Sequence, residues 1–419
     1  MPTAKKIKDG AVSAFHRTGN LVMGAGLQML PILTREPKVV SGRGSAKQIP
    51  EVLRKLKVKK VMIVSGPTVG STVVPKICGY LSENGIPFAH FDQVEENPSV
   101  QTVEAIRAMY LKEKCDGFLG VGGGSPMDAA KAAAARVAKP NTPVDKMAGL
   151  LKVLAKVPPI VCVPTTAGTG SEATMGAVVS NHEEHHKYAI MDFSITPLYA
   201  VLDPELTVGL SPLYTATTGI DALTHAVESY VTWGNYNTNE SNRNAEDAVV
   251  KIFRYLEAAY QDGRNMEARE QMLIASYQAG LAFNRTAVGY VHAIAHAIGG
   301  IYGTAHGLAN SVILPIVLED YGASVYPQLA HLAEITGVLD HGTEAEKARA
   351  FIMAIRAMNK RMGLPSGFDF LDEKDFDEII DRALAEALVI YSPPVVYNRE
   401  RCRHVLNRIK LEAQSSQLT

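Results

Sequence analysis

The feature that most constrains this chain is the alternation, in its first half, of short β-rich runs with helical stretches. VMIVS at 61–65 precedes a helix, FAHF at 88–91 precedes another from about Val100, and GFLGV at 117–121 leads into a third from Pro126. Parallel strands need crossover connections, so this order predicts a parallel sheet with helices on both faces. IVCV at 160–163 extends the sheet region, and NHEEHHKYAI and YAVLD (199–203) are expected to complete it as a hairpin and a final strand.

At Leu210-Ser211-Pro212 the character changes, with a Ser N-cap and a Pro at the first helical position opening a helix. Beyond it AEDAVVKIFRYLEAAY, MEAREQMLIASYQAGLAF, TEAEKARAFIMAIRAMNKRM and DEKDFDEIIDRALAEAL space their apolar residues at three and four, with Gly263 and Gly363 as stops. The expected organisation is an α/β domain over 1–207 and an all-α domain over 208–419. A chain of 419 residues with 47% hydrophobic content is long enough for two cores.

Charge narrows the partners. With 42 basic and 43 acidic residues the net charge is −1, leaving no basic surplus for nucleic acid or anionic lipid. Cys78, Cys115, Cys162 and Cys402 show no CxxC spacing, which argues against a thiolate metal cage and suits buried thiols in a reducing cytoplasm. MPTAKKIKDGAVSAF has no apolar core of the length a secretory signal needs, so a cytoplasmic location is expected. Thr286 to Leu318 is 33 residues without an acidic or basic side chain, histidines aside. Its three histidines, Asn310, Gly-Gly pair and Pro315 exclude a lipid-facing span and favour two buried helices.

Two clusters carry chemistry. Gly122-Gly123-Gly124-Ser125, between a strand and a helix, is an anion site in principle. There the backbone approaches a phosphate closely and the helix dipole favours its charge, although three glycines also serve a plain tight turn. Asp221 and His225, four apart on a helix, project from one face and can share a cation, while His292, His296 and His306 need partners in an apolar setting. By spacing alone His292 and His296 are the obvious second ligand pair. The run His182, His185 and His186 lies in a polar segment and reads as an exposed hairpin tip.

GGGSPMDAAK, PTTAGTGSEAT, GIDALTHAVESY and VHAIAHAIGGIYGTAHGLAN occur together and in this order. In this they resemble the iron-containing, group III alcohol dehydrogenases, over about residues 38 to 400. The resemblance implies a Rossmann-like dinucleotide-binding α/β domain, a helical metal-binding domain and an active site in the cleft between them. It implies a divalent metal, Fe(II) with Zn(II) or Mn(II) as alternatives, on Asp221, His225, His292 and His306, with His296 as a catalytic group beside the substrate. Gly122, Gly123, Gly124, Ser125 and Asp128 match the pyrophosphate motif, Thr165, Thr166 and Thr169 the nicotinamide-side loop, and Asn97 and Lys187 further cofactor contacts. NAD-preferring members place an Asp where this chain has Gly66, so NADP is expected to be accepted and preferred over NAD.

Three departures stand out: Arg285 in the Asn284-Arg285-Thr286 run, and Ala297 and Ala305 where prolines are usual. Arg285 raises a hydroxyacid dehydrogenase, for example one acting on 4-hydroxybutyrate, as an alternative to a dehydrogenase of small primary alcohols and aldehydes. A dehydroquinate-synthase-like lyase and a non-catalytic metal-binding protein are rivals from other classes. The expected partners are a small-molecule substrate and further copies of the chain, as a homo-oligomer of two or more, with no nucleic acid and no membrane.

Overall fold

Short runs of branched and aromatic residues become strands wherever helices on both sides can bury them. The computed structural model of the protein describes residues 35–181, 186–234 and 237–416. Its strands are β1 (Lys38–Ser41), β2 (Val61–Val64), β3 (Phe88–Phe91), β4 (Gly117–Gly122), β5 (Gly149–Leu150), β6 (Ile160–Pro164), β7 (Gly176–Asn181), β8 (His186–Met191) and β9 (Tyr199–Leu202). In the order β1-β9-β6-β4-β2-β3 six of them form one sheet in which every pairing is parallel. Interleaved are α1 (Ile49–Lys55), α2 (Pro67–Thr72), α3 (Val74–Glu83), α4 (Val100–Lys112), α5 (Gly124–Ala138) and α6 (Val144–Met147).

Both sheet faces are dry, as all-parallel sheets require. Met62, Val64, Phe118 and Cys162 pack with Val103, Ile106 and the alanines of α5 on one face. Val61, Ile63, Leu119, Val121, Val161 and Val163 pack with Ile49, Leu53, Ile77 and Leu81 on the other. Two expectations need correction. The hairpin does not join this sheet: β7 and β8 pair antiparallel and, with β5 parallel to β8, form a separate three-stranded sheet. The third helix starts at Gly124 instead of Pro126, so the last glycine of the loop already belongs to its first turn. The short strand β1, too polar to announce itself in KVVS, pairs with β9.

The second half is helical throughout its described length: α7 (Pro212–Tyr230), α8 (Asn239–Gln261), α9 (Met266–Thr286), α10 (Tyr290–Tyr302), α11 (His306–Tyr321), α12 (Tyr326–Ile335), α13 (Glu344–Arg361), α14 (Phe376–Ile390) and α15 (Arg399–Ser416). Ser211 caps α7, its Oγ accepting from the Tyr214 N–H at 3.3 Å. The long uncharged stretch splits where Gly303, at φ +69°, ends α10 in the left-handed conformation. No described helix is long and apolar enough to cross a membrane. Ala305 caps α11 at φ −57°, a value proline also takes, so replacing proline there costs the backbone nothing.

Contacts cluster the described chain into an α/β unit, within Ile32–Thr215 and Ala258–Asn284, and a helical unit, within Ala216–Glu257 and Arg285–Thr419. The stretch 258–284 therefore belongs with the α/β unit although it lies well beyond residue 207. Arg269 of α9 shows how: its guanidinium donates to Thr215 Oγ1 at 2.8 Å and to the Gly263 carbonyl at 3.0 Å. Cys115, Cys162 and Cys402 are buried, whereas Cys78 is only half-buried. His182 and His185 lie outside the described residues, as does the side chain of His186.

Candidate metal centre and nucleotide loops

In the helical unit α7, α10 and α11 bring four donors together. One ligand atom each from Asp221, His225, His292 and His306 lies within 4.8 Å of all the others. Helix geometry does the local work, since Asp221 and His225 share one face of α7 and His306 opens α11. Three of the four are buried and His306 is half-buried. Gly307 cannot carry a side chain, because a Cβ there would meet the Thr217 carbonyl at 2.3 Å, so α11 runs tight against α7.

The electrostatics suit a cation. Burial by itself would raise the Asp221 carboxyl, but the imidazoles of His225 and His306 outweigh it and hold the group far below the usual carboxylate range. Burial, reinforced by the neighbouring imidazoles, drives His292 well below its ordinary value and so keeps it neutral. An ionised carboxylate beside a His292 ring kept neutral gives the cluster two donors ready for a divalent ion, and His225 and His306 supply two more imidazole nitrogens of the kind such ions take. Asn310, four residues after His306 on the same helix face, donates from Nδ2 to Asp221 Oδ1 at 2.7 Å. The same amide lies 3.2 Å from His306 Nε2 and 3.4 Å from His292 Nε2.

His296 does not belong to the convergent set. Its ring stacks on that of His306 with centroids 4.9 Å apart, and its Nδ1 meets Glu386 Oε1 at 2.7 Å. The i, i+4 spacing from His292 is real, but the two rings stand edge to face at 6.0 Å. His292 instead turns Nδ1 to Glu228 Oε2 at 2.6 Å. Glu228 is buried, accepts the Gly289 and Val291 N–H groups at 3.0 and 2.8 Å, and has its carboxyl pushed up to about 8 by that burial. Sequence reasoning missed Glu228 and Asn310, although each stands three or four residues from a ligand on its own helix. For Glu386 no local signal existed.

In the α/β unit the loops gather at the carboxyl ends of β2, β4 and β6, where open α/β sheets bind ligands. Gly122 has φ +146°, and a Cβ there would lie 2.4 Å from Pro126 Cγ, so only glycine fits. Cβ atoms added at Gly123 and Gly124 would come within 3.4 Å of Thr166 Oγ1 and 3.0 Å of Thr169 Cγ2, which places those threonines beside the glycine loop. The Thr165 N–H donates to the Gly122 carbonyl at 2.9 Å. Asn97, in the left-handed region at φ +55°, links two other expected contacts: its N–H donates to Ser125 Oγ at 3.2 Å and its Oδ1 accepts from Lys187 Nζ at 2.9 Å.

Asp128 stands near the start of α5. Its oxygens accept from Ser171 Oγ at 2.6 Å and from the Val178 N–H at 2.9 Å, so it braces the threonine loop from behind. Buried Lys131 joins that brace through Ser171, Thr174 and the Gly176 carbonyl. Gly66 caps α2, and a Cβ there would approach the Val94 carbonyl at 3.0 Å. Ser65 is buried, with Oγ engaged by His90 Nε2 at 2.8 Å.

A glycine loop between a strand and a helix suits the phosphates of a dinucleotide, and a buried carboxylate among three imidazoles suits a divalent cation, which is the equipment of a metal-assisted, dinucleotide-dependent oxidoreductase. The comparisons agree. Residues 36–204 match the family described as iron-containing alcohol dehydrogenase, and residues 215–409 match its C-terminal region. The chain belongs to the iron-containing alcohol dehydrogenase family and is an oxidoreductase of alcohols and aldehydes.

It is 36% identical over 363 residues to the NAD-dependent methanol dehydrogenase of Bacillus methanolicus, covering 86% of this chain and 94% of that one. Against the NADPH-dependent butanol dehydrogenase of Clostridium saccharobutylicum it is 33% identical over 365 residues, with 84% and 91% covered. A crystal structure of 1,3-propanediol oxidoreductase superposes with a TM-score of 0.86 at 34% identity, covering 89% of this chain and 98% of that one. Family membership removes the lyase and the non-catalytic metal-binding protein as readings.

Proposed function

We propose that this enzyme interconverts small primary alcohols and aldehydes with NADP, which it prefers to NAD, using Fe(II) held by Asp221, His225, His292 and His306. Zn(II) or Mn(II) would suit the same ligands. The observation that carries the reading is the convergence of these four donors within 4.8 Å in a buried setting. A cation there supplies, when bound, Lewis acidity toward the substrate oxygen. The chain's own residues do the rest. Gly122, Gly123, Gly124 and Ser125 receive the pyrophosphate, Thr165, Thr166 and Thr169 line the nicotinamide side, and Asn97 and Lys187 flank the cofactor. His296, less deeply buried than His292, stands beside the substrate.

For the nucleotide, the segment Ser65 to Ser71 holds no carboxylate, and exposed Thr68 with nearby backbone N–H groups is left to meet a 2′-phosphate. A second reading, preference for NAD, is favoured by exposed Asp92, whose Cβ would lie 3.0 Å from a Cβ added at Gly70. On the substrate side, half-buried Arg285 keeps a hydroxyacid such as 4-hydroxybutyrate as the alternative to uncharged alcohols. Assembly as a dimer or larger and a cytoplasmic location belong to the same proposal.

The deciding experiment is metal analysis of freshly purified protein combined with NADPH and NADH consumption on aldehydes with and without a carboxylate. Stoichiometric divalent metal and faster turnover with NADPH on uncharged aldehydes are expected. Full activity after exhaustive demetallation would sink the metal assignment, and a strong bias to NADH the nucleotide assignment.

A further inference from the structure

Helix α10 presents two imidazoles one turn apart, and each turns its Nδ1 to a glutamate from another helix. For His292 the partner is Glu228, sealed in the interior and held by two backbone N–H groups. For His296 it is Glu386 of α14, at 2.7 Å. The Glu386 side chain is 31% exposed and would be free to change rotamer if left alone. It is not left alone, because the hydroxyl of buried Tyr391 donates to the same Oε1 at 2.5 Å. Tyr391 is itself anchored by its neighbour: Ser392 donates from Oγ to the Trp233 carbonyl and accepts the Trp233 N–H, both at 2.8 Å. Neither Glu386 nor Tyr391 lies in any of the motifs that carry the family resemblance.

An imidazole with no acceptor at Nδ1 exchanges between two tautomers and two ring flips. An acceptor oxygen at 2.7 Å selects the Nδ1–H form and leaves the Nε2 lone pair as the ring's outward face. The stack on His306, with ring planes 22° apart, fixes the remaining rotation. We infer that Glu386, braced by Tyr391, is a positioning residue that holds His296 in the one orientation and tautomer offering Nε2 to the substrate. The inference rests on the proposed place of His296 beside the substrate.

A double-mutant cycle tests it in the full-length enzyme. Glu386→Leu, which removes the acceptor, should lower kcat about 10- to 100-fold, the cost typical of losing a partner that orients a metal-bound histidine. Metal content and KM for the nucleotide should stay unchanged, and in a His296→Ala background the same substitution should cost nothing further. Tyr391→Phe keeps the packing, removes one hydroxyl and runs the same cycle whether or not Glu386→Leu folds; its loss should be smaller and should likewise vanish without His296. Histidine-selective 15N NMR of the zinc-loaded protein, with the His296 signals assigned by their disappearance in His296→Ala, should show an Nδ1-protonated ring in the wild type and loss of that preference in Glu386→Leu, which has no acceptor. Equal losses with and without His296, or a tautomer indifferent to Glu386→Leu, overturn the inference. A fully active His296→Ala would instead defeat the placement of His296 beside the substrate, while the NMR measurement still decides whether Glu386 positions the ring.

Discussion

The nucleotide loops and the metal centre are built from opposite materials. At the ends of β4 and β6 the surface proposed to receive the nucleotide is mostly backbone, and its key residues are defined by what they lack: Gly122 by a Cβ that would strike Pro126, Gly124 by one that would crowd Thr169. At the metal centre four side chains supply the donors, and the backbone only presents them. A backbone site is damaged by adding atoms and a side-chain site by deleting them. The two regions should therefore fail in different ways, and substitutions of each kind test the contrast.

The largest effect is expected from deletion at the metal centre. His306→Ala removes a donor and leaves Asp221 and Asn310 with an unfilled polar contact, so metal content and turnover should both collapse while circular dichroism still reports a folded chain. A variant that retains full metal would break the contrast at its strongest point. Next comes His296→Ala, a deletion beside the donors but outside their set. Turnover should fall by about 10² to 10⁴ with metal content intact, and loss of the metal would show that helical spacing had identified the ligand pair after all.

Addition at the loops comes third. Gly122→Ala forces a Cβ into Pro126 at a backbone angle that L-residues avoid, so nucleotide affinity and thermal stability should drop together while metal content stays at the wild-type level. Coincident metal loss would mean the two regions are not separable in this way. Gly66→Asp is a gentler addition, since its backbone has an ordinary negative φ and only the Val94 carbonyl must yield. It should shift kcat/KM from NADP toward NAD, by about 1–3 kcal/mol if a single charge contact decides the matter. An unchanged ratio would transfer the discrimination to Asp92, to be tested by Asp92→Asn.

The smallest effect concerns Glu172 of the threonine loop, which is buried with its carboxyl pushed up to about 7 by desolvation. The folded chain keeps this proton at pH values where the unfolded chain has released it. Stability from the group is thus present below the ordinary carboxylate range and lost as pH rises through about 7. Glu172→Gln should accordingly gain thermal stability relative to wild type as pH is raised from about 5 to 8; a difference independent of pH would show that the carboxyl is ionised in the folded protein.

Much of this was legible in the chain. Runs of four or five residues such as VMIV and IVCVP declare buried parallel strands because nothing else tolerates such density of branched residues between helices. Asp221 and His225 declare themselves because a helix of 3.6 residues per turn puts them on one face whatever surrounds it. Local residue type and period determine such features, and both are read from sequence without knowing the neighbours.

Other features required the tertiary structure. KVVS became a strand only because β9 offered it a parallel edge, and the hairpin of β7 and β8 left the main sheet because β5 was there to pair with β8. The stretch 258–284 joined the α/β unit through contacts such as Arg269 with Thr215, which lie 54 residues apart in sequence. His292 and His296 repeat the spacing of Asp221 and His225, and periodicity treats the two imidazoles alike. They differ only in what packs against them: Glu228, Asp221 and Asn310 around one, Glu386 and Tyr391 around the other. Spacing along a helix decides which face a side chain occupies, but the chemistry of that side chain depends on partners from distant parts of the chain.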